Sequence, residues 1–103
     1  MNSNIIKVSE EKLRESLVNM LLESAEEAQR TFQKTGHLRL LRNTIDYGLT
    51  ILARDSENPQ ARYLLIKNIP EYLKHNSSKT NEHFRQHIET LYYKLYADQA
   101  QTS

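Results

Sequence analysis

Two histidines come nearest to a metal-binding pattern in this chain. His83 and His87 are spaced i,i+4, so on a helix they share one face, as the histidines of a zinc-binding HExxH motif do. That motif needs a glutamate directly after the first histidine, and Phe84 stands there instead. No third ligand is evident. We therefore interpret the pair as partly exposed histidines beside the core, and we predict neither a metal nor a cofactor.

Adjacent carboxylates are the next candidates for chemistry. Glu10–Glu11 and Glu26–Glu27 are acidic pairs, but helical spacing puts them at a helix start or on a solvated face. No set of Ser, His and Asp has positional support, and no nucleophile can be nominated. The sequence therefore predicts a protein that is not an enzyme and has no catalytic residues.

Apolar and aromatic side chains outside the main stripes of the predicted helices favour a protein-binding role. Tyr93 and Tyr96 supply rigid apolar area with a hydroxyl group, a combination that is enriched at protein interfaces. A monomer of four helices would not cover all of this apolar surface, so we predict self-association, most simply as a two-fold homodimer. The predicted interface residues are Leu40, Tyr47, Ile51, Tyr63, Leu64, Tyr93 and Tyr96.

An alternative function is transcriptional regulation by a nucleic-acid-binding helix-turn-helix, formed by the second and third predicted helices. The stretch HLRLLR (37–42) mixes bases with leucines, and the third helix would carry the polar readers. Apolar residues dominate that helix and the basic patch is thin, so a plain helical hairpin is the favoured interpretation. The residues that would bind nucleic acid are Arg39, Arg42, Gln60, Arg62 and Lys67.

Composition limits the class of protein. The 103 residues fit one domain, and two Gly and two Pro are too few for the many turns of an all-β fold. The 14 Lys and Arg nearly balance the 13 Asp and Glu, which gives no electrostatic reason to expect a nucleic-acid or membrane partner. Cysteine is absent, which excludes disulfides and thiolate metal sites and favours a cytoplasmic location.

Hydrophobic periodicity predicts the four helices that must position these residues. Their predicted bounds are Ser9 to about Lys34, about His37 to Arg54, a third helix that follows Asn58, and a fourth from Ser78 or Thr80 to about Ala97. Asn58 as N-cap with Pro59 at the first helical position is a strong start signal, and Gly36 is a stop signal. Pro70 lies inside the third helix and predicts a kink or a break there.

The first two helices differ in their predicted apolar faces. The face of the first helix holds Leu13, Leu17, Met20, Leu21, Ala28 and Phe32, with Leu22 off this stripe. The second helix has apolar or small residues over an arc of roughly 200°, which predicts that it is the most buried helix. Gly48 in its middle costs about 1 kcal/mol of helix propensity relative to alanine, and close contact with a neighbouring helix would compensate.

One segment resembles a known repeat unit. The stretch ILARDSENPQARYLL (51–65) resembles the junction between two tetratricopeptide repeats, where an acidic turn separates two helices. The resemblance covers 15 residues and implies a helix–turn–helix unit. A period of about 34 residues does not recur, and the first helix is longer than a repeat helix, so we interpret the segment as an ordinary helical hairpin.

Together, these patterns predict an all-α, single-domain bundle of four main helices, with the third helix kinked or broken at Pro70. Residues 1–8 are predicted to be a flexible leader, 9–97 the bundle domain and 98–103 a disordered tail. The predicted function is that of a small interaction or regulatory (adaptor) protein. Its predicted partner is another protein, whose identity the sequence does not reveal.

Overall fold

Four helices make up the computed structural model, which describes residues 3–75 and 82–102 and the side chains of 9–75 and 82–99. They are α1 (Ser3–Thr35), α2 (Leu38–Arg54), α3 (Pro59–Lys74) and α4 (Glu82–Thr102). No strand occurs in the described ranges, and consecutive helices pack against each other as in a helical bundle. The predicted all-α bundle is therefore confirmed. Within the same residues, no helix has the length and hydrophobicity that crossing a membrane would require.

The bounds of the outer helices differ from the predicted ones. α1 begins at Ser3 instead of at the N-cap candidate Ser9, and α4 continues past Ala97 to Thr102. Ser9 does not start the helix because the residues before it include no Gly or Pro and can continue the helical backbone. The predicted start of α4 and most of the preceding loop fall on 76–81, outside the described residues.

The α2–α3 pair forms the middle of the bundle. Leu41 and Ile45 of α2 and Leu65 of α3 are fully buried. A Cβ atom at Gly48 would lie 3.0 Å from Leu65 Cγ, so the absent side chain is what lets the two helices approach. The predicted close contact at Gly48 is thus confirmed. However, α2 is not the single most buried helix, because it has five buried residues and α3 has six.

Local signals set both described turns, as the sequence predicts. Gly36 adopts a φ of 73°, and its backbone N–H donates to the Phe32 carbonyl at 2.7 Å, which ends α1. At the start of α3, the Asn58 side chain accepts a hydrogen bond from the Ala61 N–H at 2.9 Å, and Pro59 occupies the first turn. These turns make α1, α2 and α3 successive antiparallel neighbours.

The sequence predicts a kink or a break at Pro70. α3 continues through Pro70, so the break does not occur. Side chains donate hydrogen bonds to backbone carbonyls before and after Pro70. Asn68 Nδ2 donates to the Leu64 carbonyl at 2.8 Å, and Arg85 Nη1 of α4 donates to the Leu73 carbonyl at 3.3 Å. An arginine near the last turn also interacts favourably with the negative end of the α3 dipole.

α4 closes the bundle over α2 and α3. Ile88 and Leu95, which are seven residues apart and so share one side of the helix, are buried. The Arg42 guanidinium carbon of α2 lies 3.5 Å from the centroid of the Phe84 ring. The ring of Tyr72 in α3 meets the same phenyl ring edge-on, with centroids 5.5 Å apart. Phe84 therefore connects α4 to both neighbouring helices.

α1 packs on the bundle through a different face from the predicted one. The buried cluster at this contact comprises Val18, Leu22, Ala25, Ile51, Ala61 and Leu64. Leu13, Leu17 and Met20 of the predicted face are exposed, whereas Leu22, predicted to lie off that face, is buried. The prediction is right in the second half of the helix, where Leu21 packs on this cluster, Ala28 is buried and Phe32 packs on the core.

Candidate interaction surfaces

The most exposed aliphatic side chains of the described residues lie in one row on α1. Leu13 is 70% exposed, Met20 is 64% exposed and Leu17 is 37% exposed. Spacings of four and three residues bring them onto the same side of the helix. We refer to these three residues as the α1 stripe. A contiguous apolar row of this kind is typical of a surface that another protein chain covers.

Two of the three stripe residues, Leu13 and Leu17, lie where α1 extends past the end of α2. Among the side chains that the structure describes, which begin at residue 9, Val18 is the first buried one of α1, and residues 9–17 are all exposed. Val18 lines a cleft together with Arg54 and Asp55, which places the end of α2 beside this point of α1. α2 has 17 residues, so it covers α1 only from the Gly36 turn back to about Val18. We refer to residues 3–17, which are about 22 Å long, as the α1 arm.

Apolar surface continues from the α1 stripe onto the bundle. Leu21 and Tyr47 are half-buried, and both pack on the cluster that contains Val18. Leu40 is also half-buried and lies seven residues before Tyr47, on the same side of α2. Two of the three predicted interface residues of this helix, Leu40 and Tyr47, thus lie on one side of α2, where Tyr47 packs on the cluster that also contains Val18 of α1.

Two predicted interface residues lie inside the domain. Ile51 is 0% exposed and Leu64 is 6% exposed, and both belong to the cluster beneath α1. Leu22, which the sequence pattern leaves off the main stripe of α1, covers them. In the sequence these apolar residues look like surplus surface. In the monomer they pack against each other and are buried.

Tyr63 stands between two grooves on the outer side of α3. Its side chain is 61% exposed. A groove of about 410 Å³ lies between α1 and α3, where Leu22 and Leu64 contribute apolar lining. A groove of about 230 Å³ lies on the other side of Tyr63, next to Ile66 and Leu95. The structure thus leaves this predicted interface residue accessible, and its role stays a prediction.

Tyr93 and Tyr96 are exposed on α4, next to the half-buried Tyr92. The Tyr92 ring centroid lies 5.6 Å from that of Tyr93 and 6.0 Å from that of Tyr96. Tyr92 packs on the core and holds the other two rings at the surface. This arrangement presents aromatic area to solvent.

The histidine pair lies on the outer side of α4. His83 and His87 are exposed and line a shallow depression with Thr90 and Lys94. Across residues 3–75 and 82–102, no group of three or more His, Asp or Glu residues is placed to hold a metal ion. Lys94 adds positive charge to the same depression, which does not favour a cation there.

The residues of the nucleic-acid alternative do not form one basic surface. Arg42 stacks on Phe84 and pairs with Asp46 at 3.3 Å. Arg62 lies 3.6 Å from a Glu57 carboxylate oxygen and also approaches Asp98. The remaining candidates, Arg39, Gln60 and Lys67, are exposed. Acidic partners thus offset two of the four positive charges that this interpretation needs.

Comparison with known proteins adds no further guide to function. No protein-family model matches the chain, and neither a curated protein nor a solved structure matches it. The functional argument therefore depends on the geometry of the surfaces described above.

Proposed function

We propose that the protein is a small, non-enzymatic interaction protein that binds other protein chains, including its own copies, through the α1 stripe. The observation that carries the proposal is the exposure of Leu13, Leu17 and Met20 in one row. Full burial of an aliphatic side chain of this size stabilises by about 1.5–3 kcal/mol. A chain that covers the row would recover this free energy, which the monomer leaves unused. A cytoplasmic location fits the absence of cysteine.

The α1 arm gives a second reason to expect a partner. Tertiary packing supplies most of the stability of a protein helix, so a helix segment without packing partners is only weakly stabilised. The described side chains of the arm, in residues 9–17, are all exposed. A helix of the partner packed on the stripe would supply this packing, in the way amphipathic helices pair side by side.

Light scattering coupled to size-exclusion chromatography tests the proposal. The wild type is compared with the double variant Leu13→Gln, Met20→Gln over a concentration series that reaches about 1 mM, the dissociation constant of a weak complex. Glutamine keeps good helix propensity and changes no charge. We expect the wild-type mass to rise above the 12.1 kDa of the monomer with concentration, and the variant to stay monomeric.

A control double variant distinguishes the effect of changing the α1 stripe from the effect of changing any two residues of this helix segment. Lys12→Gln, Asn19→Gln places two glutamines on another side of the same helix segment, where both original side chains are exposed. This control should associate like the wild type. If the wild type remains at 12.1 kDa throughout the series, or if the stripe variant associates as strongly as the control, the proposal is wrong.

The nucleic-acid alternative has no comparable observation in its favour. Arg42 and Arg62 are engaged with acidic or aromatic neighbours within the chain. A nucleic-acid binder would bind generic duplex DNA with an affinity that falls steeply as salt increases. Such binding, lost in Arg39→Gln, Lys67→Gln, would support that alternative over the present proposal.

A further inference from the structure

We infer that the face of α2 and α3 beneath α4 is a helix-binding site, which α4 itself occupies and which a helix of another protein with the same residue pattern occupies when α4 undocks. The inference goes beyond the proposed function, because it concerns a different surface from the α1 stripe. The face is formed by five side chains that are at most 2% exposed: Leu41, Ile45, Leu65, Ile69 and Tyr72. We refer to them as the helix-binding face.

The other three helices have a hydrophobic core of their own. The cluster beneath α1 joins α1, α2 and α3 through Val18, Leu22, Ala25, Ile51, Ala61 and Leu64. No described residue of α4 belongs to it. Because α4 follows the other helices in the chain, its undocking leaves both described turns and this cluster in place. Regions with separate cores open in separate steps, so the three-helix unit can stay folded when α4 leaves.

Few buried side chains attach α4 to the bundle. Ile88 and Leu95 are the only buried ones among residues 82–99, whereas α3 has six buried residues. Phe84, Leu91 and Tyr92 pack on the same core but stay half-buried. A region with few buried apolar contacts opens at a lower free energy than the rest of a molecule. Of the four helices, α4 is therefore the one expected to undock first.

Polar contacts from three arginines complete the attachment of α4. They join the Arg42 guanidinium to the Phe84 ring, Arg62 to Asp98 and Arg85 to the Leu73 carbonyl. Arg62 Nη1 lies 3.8 Å from Asp98 Oδ2, and the two side chains are 26% and 41% exposed. Ion pairs that are this accessible to water contribute little to stability. The polar contacts therefore orient α4 on the helix-binding face more than they hold it there.

The same contacts define the helix that this face accepts. The side of α4 that packs on it carries apolar residues at spacings of four, three and four: Phe84, Ile88, Leu91 and Leu95. Amphipathic helices that bind in apolar grooves use anchors with such spacings. Arg42 favours an aromatic side chain at the first position, and Arg62 favours an acidic one fourteen residues later. The partner is thus an amphipathic helix with this set of side chains.

Competition with α4 sets the affinity for such a helix. A free helix binds only to the fraction of molecules whose own α4 is undocked, so its apparent affinity is reduced by that fraction. Weakening α4 within the protein should therefore strengthen the binding of an added helix. The same substitution in the added helix should weaken it. A residue with a purely structural role would not produce these opposite signs.

Fluorescence anisotropy with a labelled synthetic peptide of residues 82–102 tests the inference. The full-length protein is titrated into the peptide as wild type and as Ile88→Ala. We expect binding to become about tenfold or more tighter with the protein variant, and about tenfold or more weaker when the peptide carries Ile88→Ala instead. Gln86 is exposed on the opposite side of α4, so Gln86→Ala in either molecule is the control that should leave the affinity unchanged.

Hydrogen exchange of the same proteins shows whether α4 opens alone. In the wild type, we expect amides of α4 to exchange faster than amides near Ile51 and Ala61. Ile88→Ala should increase exchange mainly in α4. If this substitution removes the protection of α1, α2 and α3 together with that of α4, the bundle opens as one unit and the inference is wrong.

Two results of the peptide titration would also overturn the inference. One is peptide binding that is absent, or that Ile88→Ala in the protein leaves unchanged or weakens. The other is binding that is lost in the protein variant Leu13→Gln, Met20→Gln, because the peptide would then occupy the α1 stripe. That second result leaves the proposed function standing. The expected effects of Ile88→Ala, with an affinity that the stripe variant does not change, support the helix-binding face.

Discussion

The two halves of α1 lie in different environments although they belong to one uninterrupted helix. From Val18 onward the apolar side chains of α1 other than Met20 are buried or half-buried, whereas from residue 9 to 17 every side chain is exposed. Leu22 and Leu13 are the same residue type, yet one is in the core and the other in water. The difference shows that an apolar row on a helix indicates only that something covers it. Whether its own chain covers the row depends on which side of the helix faces the neighbouring helices.

The sharpest way to test this comparison is the same substitution in the core and in the stripe. Leu41→Ala removes a fully buried side chain of α2, and we expect a loss of about 2–5 kcal/mol in the free energy of unfolding. Leu13→Ala removes a side chain that is 70% exposed, and we expect a change within about 0.5 kcal/mol. Urea denaturation at low protein concentration, where the chain is monomeric, measures both.

A large loss of stability from Leu13→Ala in the dilute monomer would contradict the comparison. It would mean that the α1 arm contributes to the fold without a partner. At high concentration the two variants should differ in a second way, because only Leu13→Ala weakens the expected association.

A smaller effect is expected where α2 and α3 meet. Gly48→Ala adds a Cβ atom 3.0 Å from Leu65 Cγ, an overpacking that costs about 1–3 kcal/mol. Because alanine recovers about 1 kcal/mol of helix propensity, the net loss should be about 1 kcal/mol. Ala53→Gly on the exposed side of α2 measures the change in helix propensity alone. The difference between the two variants then gives the cost of overpacking against Leu65. A stabilised Gly48→Ala variant would show that the two helices can separate at little cost.

The cap of α3 should contribute a comparable amount. Asn58→Ala removes the acceptor of the Ala61 N–H, and we expect a loss of about 1 kcal/mol in unfolding free energy. The matched change Asn43→Ala lies on the exposed side of α2 and should alter stability by less than about 0.5 kcal/mol. Thermal unfolding followed by circular dichroism compares the two variants. Equal effects would argue that the Asn58 hydrogen bond does not stabilise the turn.

The smallest expected change is in the backbone of the α1 arm itself. Hydrogen exchange in residues 9–17 should be fast in dilute protein and should slow as the concentration rises, because association packs the arm. Amides of the buried part of α2, from Leu41 to Ile51, should exchange at the same slow rate throughout. Mass spectrometry of peptic peptides measures both regions in one sample. Protection of the arm that does not depend on concentration would count against a partner on the stripe.

Residues with a local signal are the ones whose structure the sequence predicts correctly. Asn58, Pro59 and Gly36 set the turns, and Gly48 marks the close approach of α3, because each acts through its own backbone or side chain. The bundle and the core stripe of α4 follow from periodicity for the same reason.

Local signals and periodicity could not predict which face of α1 packs on the core. The helix carries two apolar rows, one with Leu13 and Met20 and the other with Val18 and Leu22, and both satisfy helical periodicity. The row that becomes core is the one on the side of α1 that faces α2 and α3, where Val18, Leu22 and Ala25 pack on Ile51, Ala61 and Leu64. This is a property of two helices together, so no pattern within α1 reports it. The interface prediction at Ile51 and Leu64 fails for the same reason, since the alternative row of α1 covers them.

The separation of the two rows also affects how the protein can change over evolutionary time. The buried and exposed rows of α1 lie roughly a third of a turn apart, so a substitution in one leaves the packing of the other intact. Mutations at Leu13, Leu17 or Met20 can therefore accumulate without the loss of stability that removes most core variants from a population. A lineage could exchange one binding partner for another by altering this row, while the bundle that presents it stays the same.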